Sequence, residues 1–444
     1  MIASRRNLIV ALLLVIGALV FLERSTVNGR QANTRISRTD QGAYIKYAIS
    51  QRDSDFSVVG RRNRMPAYPA LLALFMDKGE TPDAFFDKGK QINLWLTLAV
   101  LVFLAVVFLR AFPRHHALNL LFLAAFTVFA FKAAYVQAEV LYYFLSFAAF
   151  LLCWNFFRKP NLMAALLAGG LFGLVHLTKA SILPGLLVFL VFYPLDTIWQ
   201  FYRGKNRATL RPLKRLAVTV IVGLAFLAAV FPYISKSKEI YGRYFYNVNS
   251  TFYIWCDSWE DAESRTKAAG DRKGWPDMPE DEIPSLKNYL RTHDAGQIAG
   301  RIFTGISRVF NSMAGAYGYL WFSLAYLAFA GWIVFCKRLV IWRLFRARPF
   351  PTLAIFSCLL GYYILIAWYS QIIQGNRFVL SLFLPFLFSI AMFIFTFSRK
   401  MQIPWRGGTT ISALLAFNTA ISIWLVIQIA YICIFRLPTI YGGN

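Results

Sequence analysis

The chain has 444 residues, 58% of them hydrophobic and 17% aromatic, and a mean hydropathy of +0.51, well above an ordinary soluble domain. A formal net charge of +26 would suit nucleic-acid binding in a soluble protein, but the basic residues sit between apolar runs rather than along one face, which excludes that class. Cys153, Cys256, Cys336, Cys358 and Cys433 have neither disulfide-framework nor metal-ligand spacing, and no phosphate-binding glycine loop or dinucleotide fingerprint is present.

Apolar runs long enough to cross roughly 30 Å of hydrocarbon, about eleven of them, fall at 7–22, 92–110, 117–134, 138–157, 161–178, 181–201, 216–234, 314–335, 350–369, 378–398 and 409–436. The fold class is therefore an all-α integral membrane protein. With the N-terminus in the cytoplasm and sides alternating, the inner segments collect Arg5, Arg6, Arg110, Arg114, Arg158 and Lys159. They also take the basic groups at 203–215, 337–348 and 399–406, which completes a positive-inside pattern. Of the 21 acidic residues, all but Asp196 fall at or beyond the outer surface. The C-terminus is thus expected outside, and the Ser4-Arg5-Arg6 start reads as an uncleaved signal anchor.

This divides the chain into a seven-span membrane module at 1–234, an outer segment at 235–313 and a four-span module at 314–444 with no separate soluble domain after it. Within the first module lies a long outer loop, 23–91. Asp40 is placed to open a helix through Gln51, and a second helix is expected to open near the Pro66–Pro69 turn, where proline is tolerated. Tyr44, Tyr47 and Ala48 form a stripe that would lay the first of these helices in the membrane interface. The second outer segment carries an aromatic run from Tyr241 to Trp259, an acidic stretch to Glu282 and a basic amphipathic return from Pro284 to Arg308.

Ionisable residues at membrane depth are costly and so informative. Lys132, Glu139, His176, Lys179 and Arg377 all fall at outer ends of spans, and few charges fall near the midplane, which weighs against an ion-coupled transporter. Asp40 suits either a general base or a helix N-cap. Arg61, Arg62 and Arg64 suit either a leaving phosphate or lipid headgroups. Lys179 either pairs with an anion or snorkels, and Glu139 answers to a helix dipole or to chemistry. Arg377 opens a span against its dipole, which calls for an anionic partner. The aromatic run would stack on sugar or isoprenoid, or anchor at the interface. His115 and His116 read as solvated inner residues, and His293 as a loop residue without a partner.

Several of these segments together resemble the GT-C glycosyltransferases. They are Asp40-Gln41-Gly42-Ala43-Tyr44, Arg64-Met65-Pro66-Ala67-Tyr68-Pro69, Ala138-Glu139, Gly173-Leu174-Val175-His176-Leu177-Thr178-Lys179, and Asn376-Arg377-Phe378 ahead of Pro385. The likeness is to the branch of protein O-mannosyltransferases and lipid A aminoarabinose transferases. It implies a GT-C fold and an inverting transfer of a hexosyl or pentosyl group from a polyprenyl-phosphate donor to an extracytoplasmic lipid, glycan or protein acceptor. The implied setting is a bacterial inner membrane, with the site facing the periplasm and membrane lipids as neighbours. Asp40 would activate the acceptor; Lys179, Arg64, Arg377 and Arg61 would hold the donor phosphate; Tyr44, Tyr68, Glu139, His176 and Asn376 would line the substrate. The lipid-linked sugar is the co-substrate, no metal ligand is assigned, and a divalent ion finds no support in the residues. Where the mannosyltransferases have an acid pair, this chain has Asp40-Gln41. The alternatives are a glycan ligase or polymerase using a lipid-diphosphate donor, and a lipid or glycan transporter.

Overall fold

In hydrocarbon every backbone polar group must be satisfied within its own segment, so these apolar runs fold as helices. The computed structural model describes residues 2–58, 61–204, 211–271, 274–373, 375, 377–404 and 409–438. Asn376 and the inner basic residues Lys205, Arg207 and Arg406 lie outside that set. The helices are α1 (Ile2–Gln31), α2 (Gln41–Asp53), α3 (Ala67–Ala73), α4 (Pro82–Ala111), α5 (Arg114–Thr127), α6 (Glu139–Phe156), α7 (Leu162–Thr178), α8 (Leu183–Tyr202) and α9 (Arg211–Tyr241). There follow α10 (Val248–Thr251), α11 (Trp259–Ala262), α12 (Leu286–Thr292), α13 (Ala295–Gly315), α14 (Tyr319–Ala347), α15 (Pro349–Tyr369), α16 (Leu380–Ser398) and α17 (Ala413–Tyr431). A two-stranded antiparallel ladder, with Ile403 opposite Ile411, precedes α17.

Among the described residues ten helical segments are long and apolar enough to cross a membrane, and α7 is a shorter apolar helix of 17 residues. The protein is an integral membrane protein with spans at the expected positions. Several boundaries differ: α4 opens at Pro82, α9 runs on to Tyr241, α14 runs on to Ala347, and α1 does not stop at residue 22 but continues to Gln31, where its last turns bury Ser25 and Asn28 against the bundle instead of entering water.

α7 crosses α9 at close range. A Cβ on Gly169 would lie 2.5 Å from both Ala225 Cβ and the Val222 carbonyl oxygen, and one on Gly173 would lie 2.5 Å from Ala229 Cβ. Glycines four apart on one face let two backbones approach where no hydrophobic force draws helices together. At the rim where α8 ends and α9 begins, Asp196 is fully buried and ion-paired to Arg215 Nη2 at 2.6 Å and Arg348 Nη2 at 2.8 Å.

Three expectations for the outer segments and one for an inner residue are not met. Tyr44, Tyr47 and Ala48 are buried within the protein, where α2 packs on α3 and α4, and do not lie in the membrane interface. Most of the aromatic run builds the second outer segment's own core: Tyr241, Tyr246, Phe252 and Tyr253 cluster with Cys256 and Ile372. His293 does have a partner, since its Nε2 lies 3.0 Å from Asp257 Oδ2. His116 is buried rather than solvated, with its ring stacked on Phe112 and its Nδ1 3.2 Å from Asn418 Nδ2. The basic return is α12 and α13, and α13 packs along α15.

The two outer segments are fastened together. Val248 N–H donates to the Arg62 carbonyl at 2.9 Å, and the Arg62 guanidinium reaches both Asp271 and the Tyr253 hydroxyl. Arg62, a candidate phosphate cation by sequence, is occupied as this clasp.

Candidate active site

Asp40 is the N-cap residue of α2, yet its side chain makes no capping bond. Thr39 before it has φ of 60°, an uncommon conformation for a β-branched residue, and its Oγ1 accepts from Gln137 Nε2 at 2.8 Å. The Asp40 carboxylate takes two guanidiniums instead: Arg64 Nη2 donates to Oδ1 at 2.8 Å and Arg377 Nη1 to Oδ2 at 2.9 Å. Of the two readings of Asp40, side-chain capping is set aside by this geometry.

Beside this triad stands a second carboxylate. Glu139, the first residue of α6, is almost fully buried; Lys179 Nζ donates to its Oε1 at 3.0 Å, and Arg377 Nη1 lies 3.9 Å away. Lys179 ends α7 in an extended conformation that carries its ammonium over the rings of Phe378 at 5.0 Å and Tyr142 at 5.8 Å. The Tyr143 hydroxyl donates to the Arg377 carbonyl at 2.6 Å and fixes the turn that presents the arginine. Burial opposes the Arg377 charge, but Glu139 and Asp40 outweigh it and hold the guanidinium more firmly protonated than usual.

Tyr44 and Tyr68 form the floor. The Arg64 guanidinium lies 5.5 Å from the Tyr44 ring centre, and Tyr44 meets Tyr68 edge-on at 5.4 Å. Burial first, and then the fields of Glu139 and Asp40, push the Tyr44 phenol above its ordinary range, so it remains a neutral hydroxyl. Gln41 is fully buried and structural. Its Oε1 accepts from Asn33 Nδ2 at 2.8 Å and from Val136 N at 2.9 Å, tying the end of α1 to the turn before α6.

Not every candidate converges. Arg61 bonds Ser50 Oγ at 2.5 Å and covers the Tyr47 ring, and so sits along α2 away from Asp40. His176 is buried edge-on against Phe226, Tyr233 and Phe245. Asn376 is outside the described residues. Conversely, Phe378, Tyr142, Tyr143 and Gln137 belong to the cluster, although their residue types do not announce it. Phe378 alone had a local signal, since it follows Arg377. Lys132, just beyond the span ending at Phe131, is 1% exposed, and burial pushes its ammonium down to about 7. Among the described residues no three His, Cys, Asp or Glu side chains gather as a metal set would require.

An apolar cavity of about 280 Å³ opens between α6, α8, α15 and α16, lined by Tyr142, Phe150, Trp154, Phe189, Ile355 and Leu382 among others. Tyr142 belongs both to this cavity and to the Lys179 site. Arg158 and Arg348 also line it.

Carboxylates and cations lie at helix ends on one rim of the helical bundle, with long segments after α1 and α9, and this fold is shared with a solved oligosaccharyltransferase. Among solved structures, the oligosaccharyltransferase AglB of the archaeon Archaeoglobus fulgidus, in complex with an inhibitory peptide and a dolichol-phosphate, aligns with a TM-score of 0.51 at 13% identity, covering 99% of this chain and 57% of that one. The apo form of the Archaeoglobus fulgidus oligosaccharyltransferase aligns at 0.46 and 14% identity, covering 98% and 56%. The chain thus spans just over half the length of these proteins. No protein-family model and no curated protein matches the sequence.

Proposed function

We propose that this protein is a glycosyltransferase that moves a sugar from a polyprenyl-phosphate donor to an acceptor on the side away from the cytoplasm. The observation that carries the reading is Asp40 held between Arg64 and Arg377 beside the Lys179–Glu139 pair, with an apolar cavity continuing from Tyr142. A lipid phosphate needs both halves, cations for the headgroup and a dry groove for the chain. AglB, which shares the fold, was solved with dolichol-phosphate bound.

Both Asp40 oxygens are engaged by arginines. An arriving phosphate offers Arg64 and Arg377 a better, bidentate partner, and their shift toward it frees an Asp40 oxygen to accept the proton of the attacking hydroxyl. Lys179 holds the phosphate from the opposite side as charge builds on the leaving oxygen. A phosphate leaves without being protonated, so one carboxylate base suffices where hydrolytic glycosidases need two. Attack from the face opposite the phosphate inverts the anomeric centre. Residues 1–234 supply the base and most of the phosphate site, the module at 314–444 supplies Arg377, and the segment at 235–313 faces the acceptor. The setting that fits the charge sorting is a bacterial inner membrane with the rim toward the periplasm.

The test is direct. Purified protein in liposomes is mixed with labelled polyprenyl-phosphate sugar and a lipid or glycan acceptor, and free polyprenyl phosphate is measured. Acceptor-dependent release supports transfer; movement of intact lipid-linked sugar between leaflets without release would sink it.

A further inference from the structure

Four cations meet at this rim, Arg64, Arg377, Lys179 and Lys132, and two carboxylates, Asp40 and Glu139, oppose them. Lys132 differs from the rest. Its Nζ is buried and has no hydrogen-bond partner among the described residues; the Tyr317 ring, 5.9 Å away and itself stacked on Phe131, closes one side. Its backbone cannot turn away, because Asn93 Nδ2 donates to the carbonyls of Lys132 and Ala133 at 3.1 and 3.2 Å. Facing the amine are Glu139 from α6, which attracts it, and Arg377 and Lys179, which repel it. Among the described residues Glu139 Oε2, Arg64 Nε and Arg377 Nε are likewise buried without a hydrogen-bond partner. Buried polar atoms left unpaired in this way call for a ligand that completes them.

We propose that Lys132 compensates the charge of the leaving group, standing neutral beside a bound phosphodiester donor and becoming protonated when the phosphomonoester product forms. This rests on the glycosyl-transfer reading above. The donor diester carries one negative charge, which the excess of Arg64, Arg377 and Lys179 over the two carboxylates already matches. Attack by the acceptor hydroxyl forms a C–O bond at the anomeric carbon and breaks the bond from that carbon to the phosphate oxygen, which keeps the electron pair. The hydroxyl proton passes to Asp40. The product can now carry a second negative charge, and transfer of that proton from Asp40 to the Lys132 amine keeps the buried rim neutral. Burial holds the amine where either form is accessible near neutral pH.

Calorimetry on the full chain in detergent at pH 8, in two buffers of different ionisation enthalpy, tests this. Polyprenyl phosphate binding to the wild type should take up close to one proton. Lys132→Met, with Lys132→Gln as an independent variant, should take up none and bind this monoester at least tenfold more weakly. The methyl diester of polyprenyl phosphate should bind wild type and variants within about threefold, without proton uptake. Uptake that persists in the variants, or equal weakening of monoester and diester, overturns the inference alone. Failure of either lipid to bind the wild type overturns the lipid-phosphate reading of the site, and this inference with it.

Discussion

Replacing Asp40 by asparagine removes one negative charge while hardly changing the side chain's volume. Asp40 is 35% exposed, so its ion pairs with Arg64 and Arg377 are partly screened, and each contributes at most about 1 kcal/mol to folding. Arg377 also keeps Glu139 nearby, at 3.9 Å, so the more deeply buried of the two arginines is not left without an anion. The expected cost to stability is therefore about 1–2 kcal/mol, a lowering of the melting midpoint by a few degrees at most. The cost to chemistry is of another size. A positioned general base is worth about 10²–10⁴-fold, or roughly 2.7–5.4 kcal/mol of barrier. Single-turnover release of polyprenyl phosphate from labelled donor, alongside thermal unfolding of the same sample, separates the two. A variant that stays folded and retains a rate within threefold of wild type would refute the assignment of Asp40 as the base.

Gly169→Val puts branched carbon against the Val222 carbonyl oxygen and Ala225, where even a Cβ lies at 2.5 Å, so α7 and α9 must separate. A loss of at least about 2 kcal/mol is expected in thermal or denaturant unfolding, whereas Gly170→Ala, facing open space, should cost little. Asp196→Ala leaves the buried Arg215 without its carboxylate and should destabilise by about 3–5 kcal/mol, read as early unfolding without any change in the donor's KM for the fraction that remains folded. Cys153 and Cys358 both line the apolar cavity, so saturating polyprenyl phosphate should protect both from a lipid-soluble maleimide while exposed Cys336 continues to react. Equal labelling with and without the lipid would place the prenyl chain elsewhere.

Much of the architecture could be read along the chain because its causes are local. An apolar run of sufficient length has no stable alternative to a helix in hydrocarbon. The failures share a different cause. Where α1 ends depended on Ser25 and Asn28 being buried against the rest of the protein, and the aromatic run looked available for ligands until Tyr246 and Phe252 closed on Cys256 and Ile372. His116 looked solvated because nothing near it in sequence announces Asn418. Among the arginines of the first outer loop, no local pattern distinguishes Arg61, which bonds Ser50, or Arg62, which clasps Asp271, from Arg64, which reaches Asp40.

The sequence by itself determined the class of the protein and its helices. Hydrophobic length and backbone satisfaction act over about twenty consecutive residues. Only the tertiary structure decided which charges meet. Asp40 and Arg377 are 337 positions apart, yet their 2.9 Å contact makes Asp40 an ion-paired carboxylate rather than a helix cap. Gln41 became a staple and Lys132 an amine without a hydrogen-bond partner among the described residues for the same reason. Coulomb attraction and desolvation depend on distance and burial, and both arise only when helix ends remote in the chain are brought to one rim.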